Sequence, residues 1–242
     1  MTRILLLAGT AEARGLAEAL SSDPALHITA SFSGATTTPA KFPCTTRTGG
    51  FGGAVGLTKW LQAEGTDLLI DATHPYATIM QANAVEAARA LNLGRLRLMR
   101  APWPQRPSWI TAPDLTAAAN ALPTGANALL TTGRKDIAPF RARTDCRFTL
   151  RTIEAVADLP DHITALRARP PFGPDDERAL FALLGISHLV TKNAGGTGTA
   201  KLDAADEMRL TTIVISRPTP PAGPILETVD AAVAWVRDRV AY

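Results

Sequence analysis

The feature that most constrains this chain is a regular alternation of short apolar runs with Ala- and Leu-rich stretches of helical period. Arg3–Ala8, Leu26–Phe32, Leu68–Ala72 and Leu96–Arg100 read as strands. Glu12–Leu20, Gly56–Glu64 and Ile79–Leu91 read as the helices between them. Strands separated by crossover helices make a parallel sheet with helices on both faces. The pattern breaks at Ala101–Pro107, where Pro102, Pro104 and Pro107 stop both helix and strand. It then restarts. Ala128–Thr132, Arg147–Ile153, Ile163–Arg167, His188–Thr191 and Thr212–Ser216 read as strands. Asp175–Leu184 and Val229–Val240 read as helices, the latter with Val229, Ala232, Val233, Val236 and Val240 at helical spacing. The reading is α/β: two Rossmann-like domains, residues 1–102 and 103–242, each with a parallel sheet flanked by helices, and a ligand cleft between them.

Bulk properties narrow the function classes. A length of 242 residues suits one large domain or two small ones. No apolar run approaches the about 18 residues that a membrane helix needs. The run Ile4–Ala8 is too short for a secretory signal and is followed by no small-residue cleavage site, so it reads as a first strand. Cys44 and Cys146 are far apart, which argues for a reducing, cytoplasmic setting and against a disulfide framework or a cysteine zinc site. The four histidines have no metal-ligand spacing, and no metal is expected. A net charge of +3 favours anionic small molecules, without the dense basic and aromatic run of a nucleic-acid groove.

Ligands of open parallel sheets bind beyond the carboxyl ends of the strands. The segments that follow the strands here are small, polar or cationic. Gly9-Thr10 leads into a helix beginning Ala11-Glu12, and a helix N-terminus offers free N–H groups and partial positive charge to a phosphate. A plain strand-to-helix turn would read the same, since Gly-x-Gly-x-x-Gly is absent in strict form. Gly49-Gly50-Phe51-Gly52-Gly53 can form an anion nest or a flexible linker. The second strand ends without the carboxylate that binds a ribose 2′-hydroxyl. It offers Ser31, Ser33 and the threonines Thr36–Thr38, with Lys41 and Arg47 downstream, a set that tolerates a 2′-phosphate and favours NADPH over NADH.

After the third strand comes Asp71-Ala72-Thr73-His74-Pro75-Tyr76. His74 there suits a cofactor or substrate contact, or a hydrogen-bonded structural role. Tyr76 has Met80 four positions on, so the Tyr-x-x-x-Lys pair of short-chain dehydrogenases is missing. No Gly-x-Ser-x-Gly elbow or Gly-x-x-x-x-Gly-Lys loop occurs. In the second half Thr132-Gly133-Arg134-Lys135, Lys192-Asn193-Ala194-Gly195-Gly196 and Arg217-Pro218 put cations beside small residues at strand ends, with Lys201 close behind. Such cations hold carboxylates, Arg as a fork and Lys as a point charge.

On these residues the chain resembles the precorrin-6A reductase family, NADPH-dependent reductases of cobalamin biosynthesis. The resemblance spans nearly the whole chain. It rests on Leu7–Arg14, Asp71–Ala77, Thr132–Lys135, Pro171-Phe172-Gly173, Lys192–Gly196 with Lys201, and Arg217-Pro218; the Asp-Ala-Thr-His-Pro-Tyr-Ala run is the most specific. Ala194 stands where the family often has Ser, and Pro170 where it commonly has Gly. The resemblance implies NADPH-dependent reduction of a macrocycle double bond, precorrin-6A to precorrin-6B. NADPH would lie on the first domain, held by Gly9, Thr10, Ala11, Glu12, Ser33, Gly50, Phe51, Gly52, Ala72, Thr73 and His74. The substrate, a tetrapyrrole-derived polycarboxylate, would meet Tyr76, Gly133, Arg134, Lys135, Lys192, Asn193, Gly195, Gly196 and Arg217. Lys201 is the first candidate for the general acid, with bound water as the alternative. A cobalt-bearing form of the ring is a second substrate reading, and a non-catalytic NADP-binding sensor a second class. No nucleic acid or membrane enters this reading; transient handover to neighbouring pathway enzymes is the one protein contact it admits.

Overall fold

The computed structural model describes residues 1–34 and 41–240; Thr36–Thr38 lie outside the described residues. In chain order the elements are β1 (Thr2–Leu7), α1 (Ala11–Leu20), β2 (Leu26–Phe32), β3 (Thr45–Thr48), α2 (Gly53–Ala63), β4 (Leu68–Asp71), α3 (Thr78–Ala90) and β5 (Gly94–Leu98). They continue with β6 (Trp109–Ala112), α4 (Leu115–Asn120), β7 (Asn127–Leu130), α5 (Ala138–Arg141), β8 (Arg147–Thr152), β9 (Ile163–Arg167), α6 (Pro174–Leu184) and β10 (His188–Lys192). Last come α7 (Ala200–Glu207), β11 (Thr211–Ile215), β12 (Ile225–Leu226) and α8 (Val229–Arg237).

The chain divides into two compact units, Met1–Ala101 with Pro218–Tyr242, and Pro102–Arg217. This corrects one boundary of the sequence reading: the closing helix belongs to the first unit. The reason is packing. Ala232 and Val236 of α8, with Val240, bury into the same apolar cluster as Ile4, Leu6, Leu16, Leu20 and Leu96. β12 also pairs in parallel with β5, Ile225 opposite Arg97.

Each unit contains a six-stranded sheet. In the first unit the order is β12-β5-β4-β1-β2-β3, the doubly wound 3-2-1-4-5-6 arrangement with its last strand supplied by the returning chain. In the second the order is β6-β11-β10-β7-β8-β9, the same winding with its edge strand taken from the beginning of the unit. The strand pairs in both are parallel.

Period-2 alternation on β1 shows why both faces need helices. Ile4 and Leu6 enter the cluster under α1 and α8, while Leu5 and Leu7 enter the one with Leu57, Leu61, Ala84 and Ala87 of α2 and α3. In the second unit Leu129, Leu189 and Val214 pack with Phe181 of α6 and Leu202 of α7.

Val236 is fully buried, so Val236→Asp puts a carboxylate into the first unit's core. Amide hydrogen exchange should speed up in β1, β4 and β5 while β7 and β10 keep their protection; loss confined to β7 and β10 would contradict the packing of α8.

Candidate functional site

The winding puts a topological switch point between β1 and β4, and the turns that leave these strands flank it. Thr10 caps α1: its Oγ1 accepts from Ala13 N at 3.2 Å and donates to Ala72 O at 2.9 Å. The Thr10 hydroxyl is therefore engaged internally and ties the two turns together. The first-turn N–H groups of Ala11 and Glu12 have no intrahelical acceptor and face the capped end. Glu12 pairs with Arg100 at 2.7 Å, which offsets a carboxylate that would otherwise oppose an anion there. Thr10, Glu12, Thr73, Pro75, Met99 and Arg100 line a shallow hollow of about 150 Å³, open mouth included. A Cβ on Gly9 would lie 3.8 Å from both His74 N and Thr73 Cα, so the two turns abut.

The turn after β4 is held from beneath by a buried ion pair. Asp71 is fully buried and Arg97 of β5 nearly so. Arg97 Nη1 donates to Asp71 Oδ1 at 2.5 Å, to Thr73 Oγ1 at 3.0 Å and to Asp71 O at 3.2 Å. Its Nη2 donates to Thr73 O at 2.9 Å. Asp71 Oδ1 in turn accepts from Thr73 N and Thr73 Oγ1. Burial pulls the Arg97 guanidinium below its ordinary value, and the Asp71 charge opposes that. The buried Gln81 amide donates to Pro75 O at 3.0 Å and His74 O at 3.2 Å, closing the turn from the α3 side. The His74 and Tyr76 rings lie 5.6 Å apart, half-buried.

At the far edge of this sheet stands the glycine loop. Gly49, Gly52 and Gly53 adopt φ of 122°, 79° and 85°, which side chains resist, and nothing lies within 4 Å of where their Cβ atoms would be. Gly56 is required by a close approach, since a Cβ there would fall 1.7 Å from Phe51 O. Arg47 of β3 donates to Ser31 Oγ, Gly49 O and Gly50 O at 2.7, 3.1 and 3.3 Å. Its guanidinium lies 3.9 Å from the centre of the Phe51 ring, whose edge contacts Trp60. Ser33 and Gly34 follow β2 beside this loop, with Gly49 N donating to Phe32 O.

In the second unit the switch point lies between β7 and β10. Arg134 and Lys135 are exposed, on a single 3-10 turn after Gly133. Lys192, at the end of β10, pairs with Asp136 of that turn at 2.6 Å. Asn193 brackets the Trp103 backbone: Oδ1 accepts from Trp103 N at 2.8 Å and Nδ2 donates to Trp103 O at 3.1 Å. Trp103 Nε1 donates to Gly196 O at 2.9 Å. Arg217 donates to Asn193 O at 2.8 Å and Ala194 O at 2.9 Å. Both ends of the unit are thereby bonded to one loop. Lys201, on the first turn of α7, has its Nζ 5.3 Å from the centre of the Trp103 ring. The Pro171-Phe172-Gly173 segment sits on the buried Arg151–Glu177 pair, with Phe172 stacked 4.3 Å from the Arg151 guanidinium.

The structure thus gathers Gly9, Thr10, Ala11, Glu12, Ala72, Thr73 and His74 at one switch point, and Gly133, Arg134, Lys135, Lys192, Asn193, Gly195 and Gly196 at the other. Gly50, Phe51, Gly52 and Ser33 form a separate group at the first sheet's edge. Sequence reasoning missed Arg97, Gln81, Trp60, Trp103 and Asp136. A signal existed for Arg97: an Asp ending a fully apolar strand needs a buried cation, and Leu96-Arg97-Leu98 supplies it. Among the described residues no group of three or more His, Cys, Asp or Glu could hold a metal ion, and no helix is long and apolar enough to cross a membrane.

Two doubly wound parallel sheets with glycine-bearing turns at their carboxyl ends define the class: an α/β protein of two Rossmann-like units. The chain belongs to the precorrin-6x reductase family, whose profile, described as "Precorrin-6x reductase CbiJ/CobK", matches residues 3–237. It is 41% identical to the precorrin-6A reductase of Rhodococcus erythropolis over 98% of both chains. It is 40% identical to that of Rhodobacter capsulatus, over 98% of this chain and 97% of the relative. A solved structure described as "CobK precorrin-6A reductase" superposes with a TM-score of 0.92 at 39% identity, covering 98% of this chain and 97% of that one.

Arg97→Met leaves the Asp71 carboxylate buried and unpaired. Urea denaturation should show a loss of about 3–5 kcal/mol; a loss under about 1 kcal/mol would mean that the pair is not the support described.

Proposed function

We propose that this chain carries out the NADPH-dependent reduction of precorrin-6A to precorrin-6B. The observation that carries the reading is the near-complete match, at about 40% identity, to reductases of that name, joined to a Gly-Thr turn that opens a helix at the first unit's switch point. When bound, NADPH supplies the hydride. The N–H groups of Ala11 and Glu12 hold a phosphate at the start of α1, and Gly9 permits close approach. Gly50, Phe51 and Gly52, with Ser33, serve the adenosine half; Ala72, Thr73 and His74 serve the nicotinamide half.

The substrate is a macrocycle bearing many carboxylates, and the second unit meets it with exposed cations. Arg134 and Lys135 bind carboxylate directly. Lys192 contributes its charge from within the Asp136 pair. Asn193, Gly195, Gly196 and Arg217 shape the loop after β10, and Tyr76 is a further substrate contact. Saturating a double bond requires a proton as well as a hydride. Lys201 donates it from the face of Trp103, whose ring attracts and orients the ammonium. The cytoplasm, which keeps Cys44 and Cys146 reduced, is the setting that this chemistry needs.

Adding precorrin-6A to the protein with NADPH should bleach the nicotinamide absorbance with matching loss of substrate. Oxidation only with the cobalt-bearing ring would move the substrate assignment, and binding without oxidation under either condition would favour a sensor. Lys201→Ala should lower kcat about 100-fold with little change in KM, and full turnover at saturating substrate would remove it from the mechanism. Arg134→Ala with Lys135→Ala should raise the substrate KM roughly 10-fold or more while the NADPH KM holds; an unchanged substrate KM would place the carboxylate contacts elsewhere.

A further inference from the structure

The guanidinium of Arg47 is held in one orientation at the edge of the first sheet with no acid beside it among the described residues. Arg97, Arg100, Arg106, Arg143, Arg151, Arg178 and Lys192 each have a carboxylate within ion-pair distance. Arg47 has no such partner among the described residues, and the stretch between β2 and β3 that lies outside them, Ala35-Thr36-Thr37-Thr38-Pro39-Ala40, contains no acid. Its three bonds go to neutral oxygens: the Ser31 hydroxyl and the carbonyls of Gly49 and Gly50. They use three of five N–H groups. Phe51 fixes one face of the fork, and Trp60 backs Phe51. The result is a planar cation of defined orientation whose charge the protein leaves uncompensated. Burial lowers its ordinary value, with no acid to oppose that.

Its place in the fold gives this charge a meaning. Arg47 registers with Ser31 across β2 and β3, at the carboxyl end of the second strand. In a doubly wound sheet this is where the adenosine ribose is read, by a carboxylate for a free 2′-hydroxyl or by a cation for a 2′-phosphate. No carboxylate occupies the end of β2, where Ser31-Phe32-Ser33 stands. The open side of the glycine loop lies immediately beyond.

We infer that Arg47 is the residue that selects NADPH over NADH, by holding the 2′-phosphate of the adenosine ribose on a guanidinium oriented by Ser31, Gly49, Gly50 and Phe51. The inference rests on the proposed NADPH-dependent reaction and names the side chain that sets its cofactor preference. A guanidinium matches a phosphate monoester by geometry as well as charge, and one charge-assisted pair changes affinity by roughly 10- to 100-fold.

Direct binding tests it without turnover. Calorimetric titration of the full chain with NADPH, NADH, 2′,5′-ADP and 5′-ADP should show the wild type preferring the 2′-phosphorylated member of each pair. Arg47→Met should weaken NADPH and 2′,5′-ADP roughly 10- to 100-fold and leave NADH and 5′-ADP within about 3-fold of wild type. Arg47→Lys keeps the charge but not the fork, and should lose part of the preference; it also serves if Arg47→Met does not fold. Equal weakening of both members would mean that Arg47 only shapes the glycine loop, and an unchanged ratio in both variants would place 2′-phosphate recognition elsewhere; each overturns the inference. A wild type that binds both dinucleotides equally overturns it too, yet leaves the reductase reading intact. A wild type that binds neither removes that reading first.

Discussion

The site in the first unit depends on one buried ion pair. Taking Asp71 and Arg97 out of water costs several kcal/mol per ion, and packed apolar side chains of similar volume would fill the same space without that cost. An apolar pair, however, could not do what these side chains do with their remaining hydrogen-bonding capacity. Arg97 reaches past the carboxylate to the Thr73 hydroxyl and the carbonyls of Asp71 and Thr73, and Asp71 accepts from the Thr73 N–H and hydroxyl. Every one of those bonds fixes backbone or side chain in the turn that leaves β4. Asp71 Oδ2 and Arg97 Nε have no hydrogen-bond partner among the described residues, so the pair is not arranged for maximal satisfaction. It is arranged so that a turn at the switch point has one shape, and Thr10, bonded to Ala72 O, transmits that shape to the start of α1.

The second unit follows the same logic with different groups. Lys192 is held by Asp136, Asn193 by the Trp103 backbone, and Arg217 by two carbonyls of the Asn193-Ala194 loop. Three residues that read from sequence as substrate contacts are thus engaged in shaping the edge. That redistributes the roles. Under the proposed function, contact with an anionic substrate falls to the exposed Arg134 and Lys135, and the paired residues hold the surface on which those two are presented. Preorganisation of this kind matters for a reductase, because the acceptor carbon must be oriented before a hydride can move.

The doubly wound fold was legible because apolar strands buried on both faces leave continuous hydrophobic runs, and helices leave a 3.6-residue period. What escaped was set by distant contacts. β3 is Thr-Thr-Arg-Thr, polar because it is an edge strand, and only its register with β2 makes it a strand. β12 is two residues long and exists by virtue of β5. The apolar face of α8 was plain, but its destination was not: periodicity says that a face is buried, never against what, and Ile4 and Leu6 lie more than 200 residues away. The site shows the same division. Residues at strand ends were found because topology places them, whereas Arg97, Gln81 and Trp103 act through tertiary hydrogen bonds that no local pattern encodes.

The distribution of charge also bears on the choice between a reductase and a sensor. The sequence has only a small positive excess, +3, which by itself says little. The structure shows where opposite charges cancel. Arg106 is matched by Asp203 and Asp206, Arg178 by Asp175 and Glu207, and Arg143 by Asp145. Arg47 stands at the carboxyl edge of the first sheet, and Arg134 and Lys135 at that of the second. A module that only senses a dinucleotide needs the first of these. Under the proposed function, a second cationic edge, on a second sheet wound like the first and followed by a lysine on an aromatic face, serves a polyanionic substrate and a protonation step.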